Sequence, residues 1–229
     1  MPAELARRLE HTALGPAVTR DGVLRLCREA AAHAMLGVCV APSRVALARA
    51  TLDALPAGGD VAVVGVVGFP HGDTLADIKA AEAARVVEEG AREVDMVLAV
   101  GAVLSGNLAR AEDDVAGVVA AVRAADPDAR VKVILETALL SDDDKRDACA
   151  LCERAGAHFV KTSTGFAGGG ATVADVALMR AAVGDRLGVK AAGGIRDLDT
   201  ALALLAAGAD RLGCSASPAL LAEAAARRA

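Results

Sequence analysis

A (β/α)8 barrel of the TIM type is the fold class this sequence predicts. Three observations predict it. A strand-like apolar run followed by a helix-like segment recurs eight times, with no linker or low-complexity break between units. Residues 61–67 are apolar nearly throughout, as in a strand buried on both faces of a parallel sheet. The length, 229 residues, is close to the roughly 250 that such a barrel commonly uses. The competing architecture is an open doubly wound sheet. It lacks support, because no G-x-G-x-x-G follows the first strand and no Walker pattern occurs anywhere. The chain is therefore read as one α/β domain over 1–229 with a short amino-terminal helix.

The elements follow in order. Residues 2–9 read as a short amphipathic helix, and 10–14 as a brief strand stopped by Gly15-Pro16. Residues 19–34 have helical spacing, with Leu24, Leu26, Cys27, Ala30 and Ala31 as the apolar stripe. A strand at 35–40 leads to Pro42, a first-turn proline for the next helix. After strand 61–67 comes the loop Gly68-Phe69-Pro70-His71-Gly72. Thr74-Leu75-Ala76-Asp77 resembles a helix-start box for a helix running to about residue 89. The same alternation then repeats as strand 93–100 with helix 109–125, strand 130–135 with helix 141–155, and strand 158–161 with helix 172–183. It closes with strand 188–191 and helix 197–207, then strand 211–213 and helix 217–228.

Composition excludes several classes. Hydrophobic residues make up 54%, yet Trp and Tyr are absent and only Phe69, Phe159 and Phe166 are aromatic. The core must come from Val, Leu, Ile and Ala. A net charge of −5 without a basic run or aromatic platform argues against nucleic acid. No apolar run approaches the roughly 20 residues of a membrane helix. Met1-Pro2-Ala3-Glu4 does not open a signal-peptide pattern, so the cytoplasm is expected. Five scattered cysteines, an odd number, fit a reducing compartment better than a disulfide framework. Cys149 and Cys152 form a C-x-x-C inside a helical pattern, without a second pair or a nearby His, and read as helix cysteines. His11, His33, His71 and His158 lack ligand spacing, so no metal is expected. No flavin or nicotinamide motif appears either.

The chemistry concentrates in His158-Phe159-Val160-Lys161-Thr162-Ser163-Thr164-Gly165-Phe166, followed by Ala167 and three glycines. Only five of 25 basic residues are lysine. A lysine at the end of an apolar strand can be buried, lose its proton and attack a carbonyl, which arginine cannot do. Alternation places Lys161 on the face of Phe159 and Lys190 on the face of Gly188. On adjacent strands, about 4.8 Å apart, the two cations would repel, and the better-buried one would give up its proton more easily. The plain alternative is two independent lysines reaching solvent at the barrel mouth.

Asp95 lies mid-strand among apolar neighbours, where a carboxylate must be paired. It either moves protons with a lysine across the barrel or makes a structural ion pair. Glu10 joins this network if the register of the first strand allows. Glu136 reads as a loop-anchoring carboxylate and Lys132 as a solvated residue at the other end of the barrel. Cys39 could line the pocket or sit in the core. Glycines and a hydroxyl gather after three consecutive strands, at Gly165, at Gly193-Gly194 and at Ser215. That is the common place for a phosphate in such a barrel. An amine, a proton shuttle and a phosphate cradle, with no cofactor, imply carbonyl chemistry on a sugar phosphate through a Schiff base.

These stretches resemble the deoxyribose-phosphate aldolase family of class I aldolases. The matching segments are Glu10-His11-Thr12, Gly37-Val38-Cys39-Val40-Ala41-Pro42-Ser43-Arg44, Gly68-Phe69-Pro70 and Glu93-Val94-Asp95-Met96-Val97. They continue with Lys161-Thr162-Ser163-Thr164-Gly165-Phe166 and Gly188-Val189-Lys190-Ala191-Ala192-Gly193-Gly194-Ile195-Arg196. The resemblance implies that Lys161 forms the Schiff base, that Lys190 depresses its pKa, and that Asp95 relays protons. Glu10 and Cys39 would support the site, and Gly165, Gly193, Gly194 and Ser215 would hold the phosphate. The implied reaction cleaves 2-deoxy-D-ribose 5-phosphate reversibly to D-glyceraldehyde 3-phosphate and acetaldehyde, without cofactor or metal. Another class I sugar-phosphate aldolase, or a non-catalytic phosphosugar-binding protein on the same barrel, is the alternative. A homo-oligomer, first of all a dimer, is the expected assembly. Three departures stand out: the family usually has Asp at Glu10, a second serine at Ala216, and in some members a tyrosine-bearing tail.

Overall fold

Valine, leucine and alanine have to supply nearly all the packing here, and they do so as a cylindrical shell between strands and helices. The computed structural model describes residues 2–227. Helix α1 (Pro2–Ala6) precedes β1 (Leu9–Ala13), α2 (Arg20–Ala32), β2 (Gly37–Val40) and α3 (Val45–Asp53). Then come β3 (Ala62–Val67), α4 (Ala76–Glu88), β4 (Glu93–Val97), α5 (Val100–Leu104) and α6 (Leu108–Ala125). The last part holds β5 (Arg130–Ile134), α7 (Asp142–Arg154), β6 (Phe159–Lys161), α8 (Val173–Val183), β7 (Gly188–Ala192), α9 (Leu198–Ala206), β8 (Arg211–Cys214) and α10 (Ser217–Ala226). Each strand pairs in parallel with the next, and β8 pairs with β1, which closes the barrel.

Alternation along each strand splits the side chains into two sets. Outward residues such as Val38, Val63, Val94, Val131, Val160, Val189 and Leu212 are fully buried against the helices and belong to one continuous core. The inward set is divided. On β2 and β3 it is apolar, with Cys39, Val64 and Val66 packed beside Leu14 and Phe69. On the other strands it also carries charges, and those charges form the site described below.

The helix starts explain several boundaries. Thr19 caps α2 by accepting from the Gly22 amide at 3.2 Å, and Pro42 opens a 3-10 turn that runs into α3. Ser141 and Asp144 form a reciprocal capping box at α7. Thr172 caps α8 through the Asp175 amide at 3.0 Å.

Three sequence readings need correction. The first helix stops at Ala6, because Leu9 is fully buried as the first residue of β1. Thr74 does not cap α4. The chain enters that helix at Leu75 without a side-chain cap, and the Leu75 carbonyl accepts from Ile78 and Lys79. In this register Lys79 is buried and donates to Asp114 at 2.7 Å and to the Val97 carbonyl at 3.0 Å, tying α4 and α6 to the end of β4. The strand expected over 93–100 ends at Val97, and the short α5 follows it. The last helix is described to Ala226, and its expected final residue, Arg228, lies outside the described residues.

Candidate active site

Five strands deliver five inward charges to one cluster inside the barrel. Lys161 of β6 is in direct register with Lys190 of β7, and Asp95 of β4 is in register with Lys132 of β5. Lys161 Nζ donates to Asp95 Oδ2 at 2.7 Å, and Lys190 Nζ donates to the same oxygen at 2.6 Å. Lys132 Nζ donates to the other oxygen, Oδ1, at 2.9 Å. Glu10 of β1 accepts from Lys190 and lies 3.5 Å from Lys132. Asp95, Lys132, Lys190 and Glu10 have 0% exposure, and Lys161 has 3%. The small opening belongs to Lys161, which alone among these five lines the cavity above.

The electrostatics follow from burial opposed by partners. Burial would push the Asp95 carboxyl up, but Lys132, Lys161 and Lys190 hold it well below the usual carboxylate range. Burial would likewise strip Lys190 of its proton, yet Asp95 and Glu10 outweigh it and raise the ammonium above the usual lysine value. The expectation that the better-buried lysine gives up its proton is thus overturned. Lys190 is the deeper of the two, and two carboxylates keep it cationic.

Lys132 also needs correction. It is no solvated end residue. It sits between Asp95, Glu93 (2.5 Å) and Glu10, and these carboxylates raise its pKa despite full burial. The signal was present in the register of the two strands, which sequence alone does not supply. Glu93 and Arg211 were missed for the same reason. Arg211 of β8 donates to Glu93 at 2.5 Å and to Glu10 at 3.3 Å, and its guanidinium lies 4.4 Å from the centre of the Phe159 ring. Glu93 is held down at about 2, burial being overcome by Lys132 and Arg211.

Above Lys161 the strand ends surround a cavity of about 270 Å3. Gly165, Gly193, Gly194 and Ser215 all line it, as do Thr12 and Arg196. Gly193 has φ +91°, and a Cβ there would come within 3.0 Å of the Gly170 Cα, so two glycine loops lie backbone to backbone. Glu136 secures the neighbouring loop as expected. It is buried two residues past β5, takes φ +57°, and accepts from the Thr164 amide at 3.2 Å and from its hydroxyl. Phe166 meets Phe69 edge to face, with ring centres 5.3 Å apart, across the rim.

Cys39 is fully buried on the apolar wall, where burial pushes its thiol up. Cys149 and Cys152 are buried in α7, Cys149 pushed up to about 12 by burial, as fits two helix cysteines. Ala216 precedes α10 without a side-chain cap, and the Ser217 hydroxyl is turned to the Cys214 carbonyl at 3.0 Å. The second hydroxyl that the sequence resemblance leads one to expect at 216 is therefore not supplied by Ser217.

Fold and charge arrangement place the chain among barrel enzymes that handle carbonyl compounds through an amine. A family model described as DeoC/LacD family aldolase matches residues 12–217, and the chain belongs to that family. It is 47% identical over 221 residues to a deoxyribose-phosphate aldolase from Halalkalibacterium halodurans, covering 96% of each chain. It is 51% identical to one from Rhodospirillum rubrum, covering 97% of this chain and 90% of the relative. Among solved structures, the deoxyribose phosphate aldolase from Aeropyrum pernix superposes with a TM-score of 0.90 at 32% identity. That match covers 99% of this chain and 93% of the other.

Proposed function

We propose that this chain is a deoxyribose-phosphate aldolase, cleaving 2-deoxy-D-ribose 5-phosphate reversibly to D-glyceraldehyde 3-phosphate and acetaldehyde, with 1–229 acting as one catalytic domain. The carrying observation is the 2.7 Å contact between Lys161 Nζ and Asp95 Oδ2 beneath a backbone-lined cavity. Membership of the aldolase family and the names of the relatives support the same reading.

In this mechanism the free amine of Lys161 adds to the C1 aldehyde of the open-chain sugar, and loss of water gives a protonated imine. The C3 hydroxyl gives up its proton, and the C2–C3 bond breaks. Its electron pair moves into the imine to form an enamine, and glyceraldehyde 3-phosphate leaves. A proton returned to C2 regenerates the imine, and water releases acetaldehyde and the amine. Asp95, bonded to both lysines, is the group through which protons pass, and Lys190 supplies the fixed positive charge that favours the free amine. Gly165, Gly193, Gly194 and Ser215 bind the phosphate through amides and a hydroxyl. Glu10 holds Lys190, and Cys39 belongs to the apolar wall. No step calls on a cofactor.

No described helix is long and apolar enough to cross a membrane, and a cytoplasmic location is part of the proposal. So is a homo-oligomer, of which a dimer is the smallest form. The Aeropyrum pernix relative is described as tetrameric. The test is reductive trapping with acetaldehyde followed by peptide mapping, alongside assay of acetaldehyde release from the sugar phosphate. Label on Lys161 and release of acetaldehyde are expected; label on another lysine, or dihydroxyacetone phosphate as product from a different sugar, would replace this reading.

A further inference from the structure

The charged half of the barrel does not balance. Its carboxylates are Glu10, Glu93 and Asp95, and its cations are Lys132, Lys161, Lys190 and Arg211. Three against four leaves one positive charge in excess when every group is ionised. The partners are shared unequally. Among the described residues and within 4.0 Å, Lys132 meets three carboxylates, Lys190 meets two, and Lys161 meets only Asp95. Arg211 is the one cation of the four that cannot shed its proton.

Its place is fixed by the fold. Arg211 lies below the lysines, toward the amino-terminal mouth of the barrel, with its side chain 11% exposed. Glu93 and Glu10 hold it from two strands, and the Phe159 ring covers its face. It faces no carbonyl substrate, since the substrate-sized cavity opens at the other end and excludes it.

We infer that Arg211 is a positioning residue for the reaction proposed above, and that it supplies the surplus positive charge that the cluster relieves by releasing the Lys161 proton. Without Arg211 the buried set would be three carboxylates and three ammonium groups, already neutral, and each lysine would keep its proton more firmly. With it, neutrality is reached only when one lysine is uncharged. Lys132 and Lys190 are held by several carboxylates each, so the change falls on Lys161, which has one. Glu93 acts in the opposite sense. It neutralises Arg211 and takes part of Lys132, so that the surplus is moderate and Asp95 stays shared among the lysines.

The charges facing this cluster come from nearly every strand. They are Glu10 on β1, Glu93 and Asp95 on β4, Lys132 on β5, Lys161 on β6, Lys190 on β7 and Arg211 on β8. The thiol of Cys39 is on β2, and β3 contributes only Val64 and Val66. Outside the lower mouth lie Arg8, Arg180, Asp185, Arg186 and Asp210, beside water and screened by it.

The test is the pH dependence of imine formation with acetaldehyde, followed by cyanoborohydride trapping and mass mapping. Wild type, Arg211→Met, Arg211→Lys and Glu93→Gln are compared. For Arg211→Met the midpoint of the trapping curve is expected to move up by about one pH unit. That is the order given by one buried charge acting across roughly 10 Å at an effective dielectric of about 20. Trapping near neutrality then slows about tenfold. Arg211→Lys restores most of the midpoint, and Glu93→Gln moves it down. A folded Arg211→Met protein with the wild-type midpoint overturns the inference, whatever its plateau. If that variant does not fold, an unmoved or raised midpoint in Glu93→Gln overturns it instead. Absence of label at Lys161 in the wild type would defeat the aldolase reading itself, which separates the two failures.

Discussion

Lys161 and Lys190 donate to one and the same oxygen, Oδ2 of Asp95, at 2.7 and 2.6 Å. Two ammonium groups on adjacent strands are thus bridged by a single carboxylate in a site with almost no solvent. The arrangement makes their protons interdependent. What one lysine loses, the shared carboxylate and the other lysine must accommodate.

Replacing Lys190 with Leu is therefore expected to lower kcat/KM for the sugar phosphate by roughly 10^2–10^4-fold, the range for loss of a group that handles charge or protons in a transition state. It also leaves Glu10 and Asp95 short of a cation in a buried site. Breaking such a pair destabilises by about 3–5 kcal/mol, or roughly 10 °C in Tm for a chain of this size. Circular dichroism separates the two effects. Wild-type turnover per folded molecule would remove Lys190 from the mechanism.

Asp95→Asn keeps the shape and removes the charge that three lysines share. Exchange of the acetaldehyde methyl protons in deuterated water is expected to slow by at least about tenfold, because the group proposed to pass protons at C2 is gone. The readout is proton NMR of acetaldehyde incubated with the enzyme. Exchange at the wild-type rate would leave Asp95 a purely structural partner.

The barrel was legible in the sequence because its signals are local. Eight apolar runs alternate with helix starts, and Ser141, Thr172 and Pro42 mark entries that the structure keeps. Lys161, Lys190 and Asp95 were legible because a charge on an apolar strand stands out. Lys132 and Arg211 were not, though they are equally buried in the interior or nearly so. Each stands near a strand start, where a charge normally meets water, and only the strand register reveals the carboxylates opposite them. The start of α4 failed for a related reason. Its register is coupled to Lys79 reaching Asp114 and the end of β4, contacts far away in sequence.

Acid stability gives a third expectation. Glu93 lies at about 2 in the folded chain against an ordinary value of 4.5. Between those values the unfolded chain binds more protons than the folded one, so stability rises with pH through the window. The contribution is complete above about pH 4.5 and is lost as pH falls through about 2. It amounts to about 1.4 kcal/mol for each pH unit separating the two states. Asp95, also held low by its lysines, adds to the same slope. Urea unfolding between pH 5 and pH 3 should give a shallower pH dependence for Glu93→Gln than for wild type. Parallel curves would show that Glu93 does not titrate differently on folding.

Ala216→Ser tests the proposed phosphate cradle from the position beside Ser215. Ser215 lines the cavity beside Gly193 and Gly194, whereas Ala216 has no polar side chain to offer and the Ser217 hydroxyl is occupied by the Cys214 carbonyl. A serine at 216 would add one donor for the proposed phosphate. A hydrogen bond to a charged group contributes about 1.5–3 kcal/mol, so KM for the sugar phosphate is expected to fall roughly tenfold or more. kcat should change little, because the phosphate lies away from the bond that breaks and is held alike in ground and transition states. The residue at 216 has φ −92° and ψ 16°, not the extended backbone of a good helix cap, so Tm should barely move. Unphosphorylated deoxyribose is the control, since its KM should not respond. If both sugars gain equally, the new hydroxyl is acting on the sugar and the cradle has been placed wrongly.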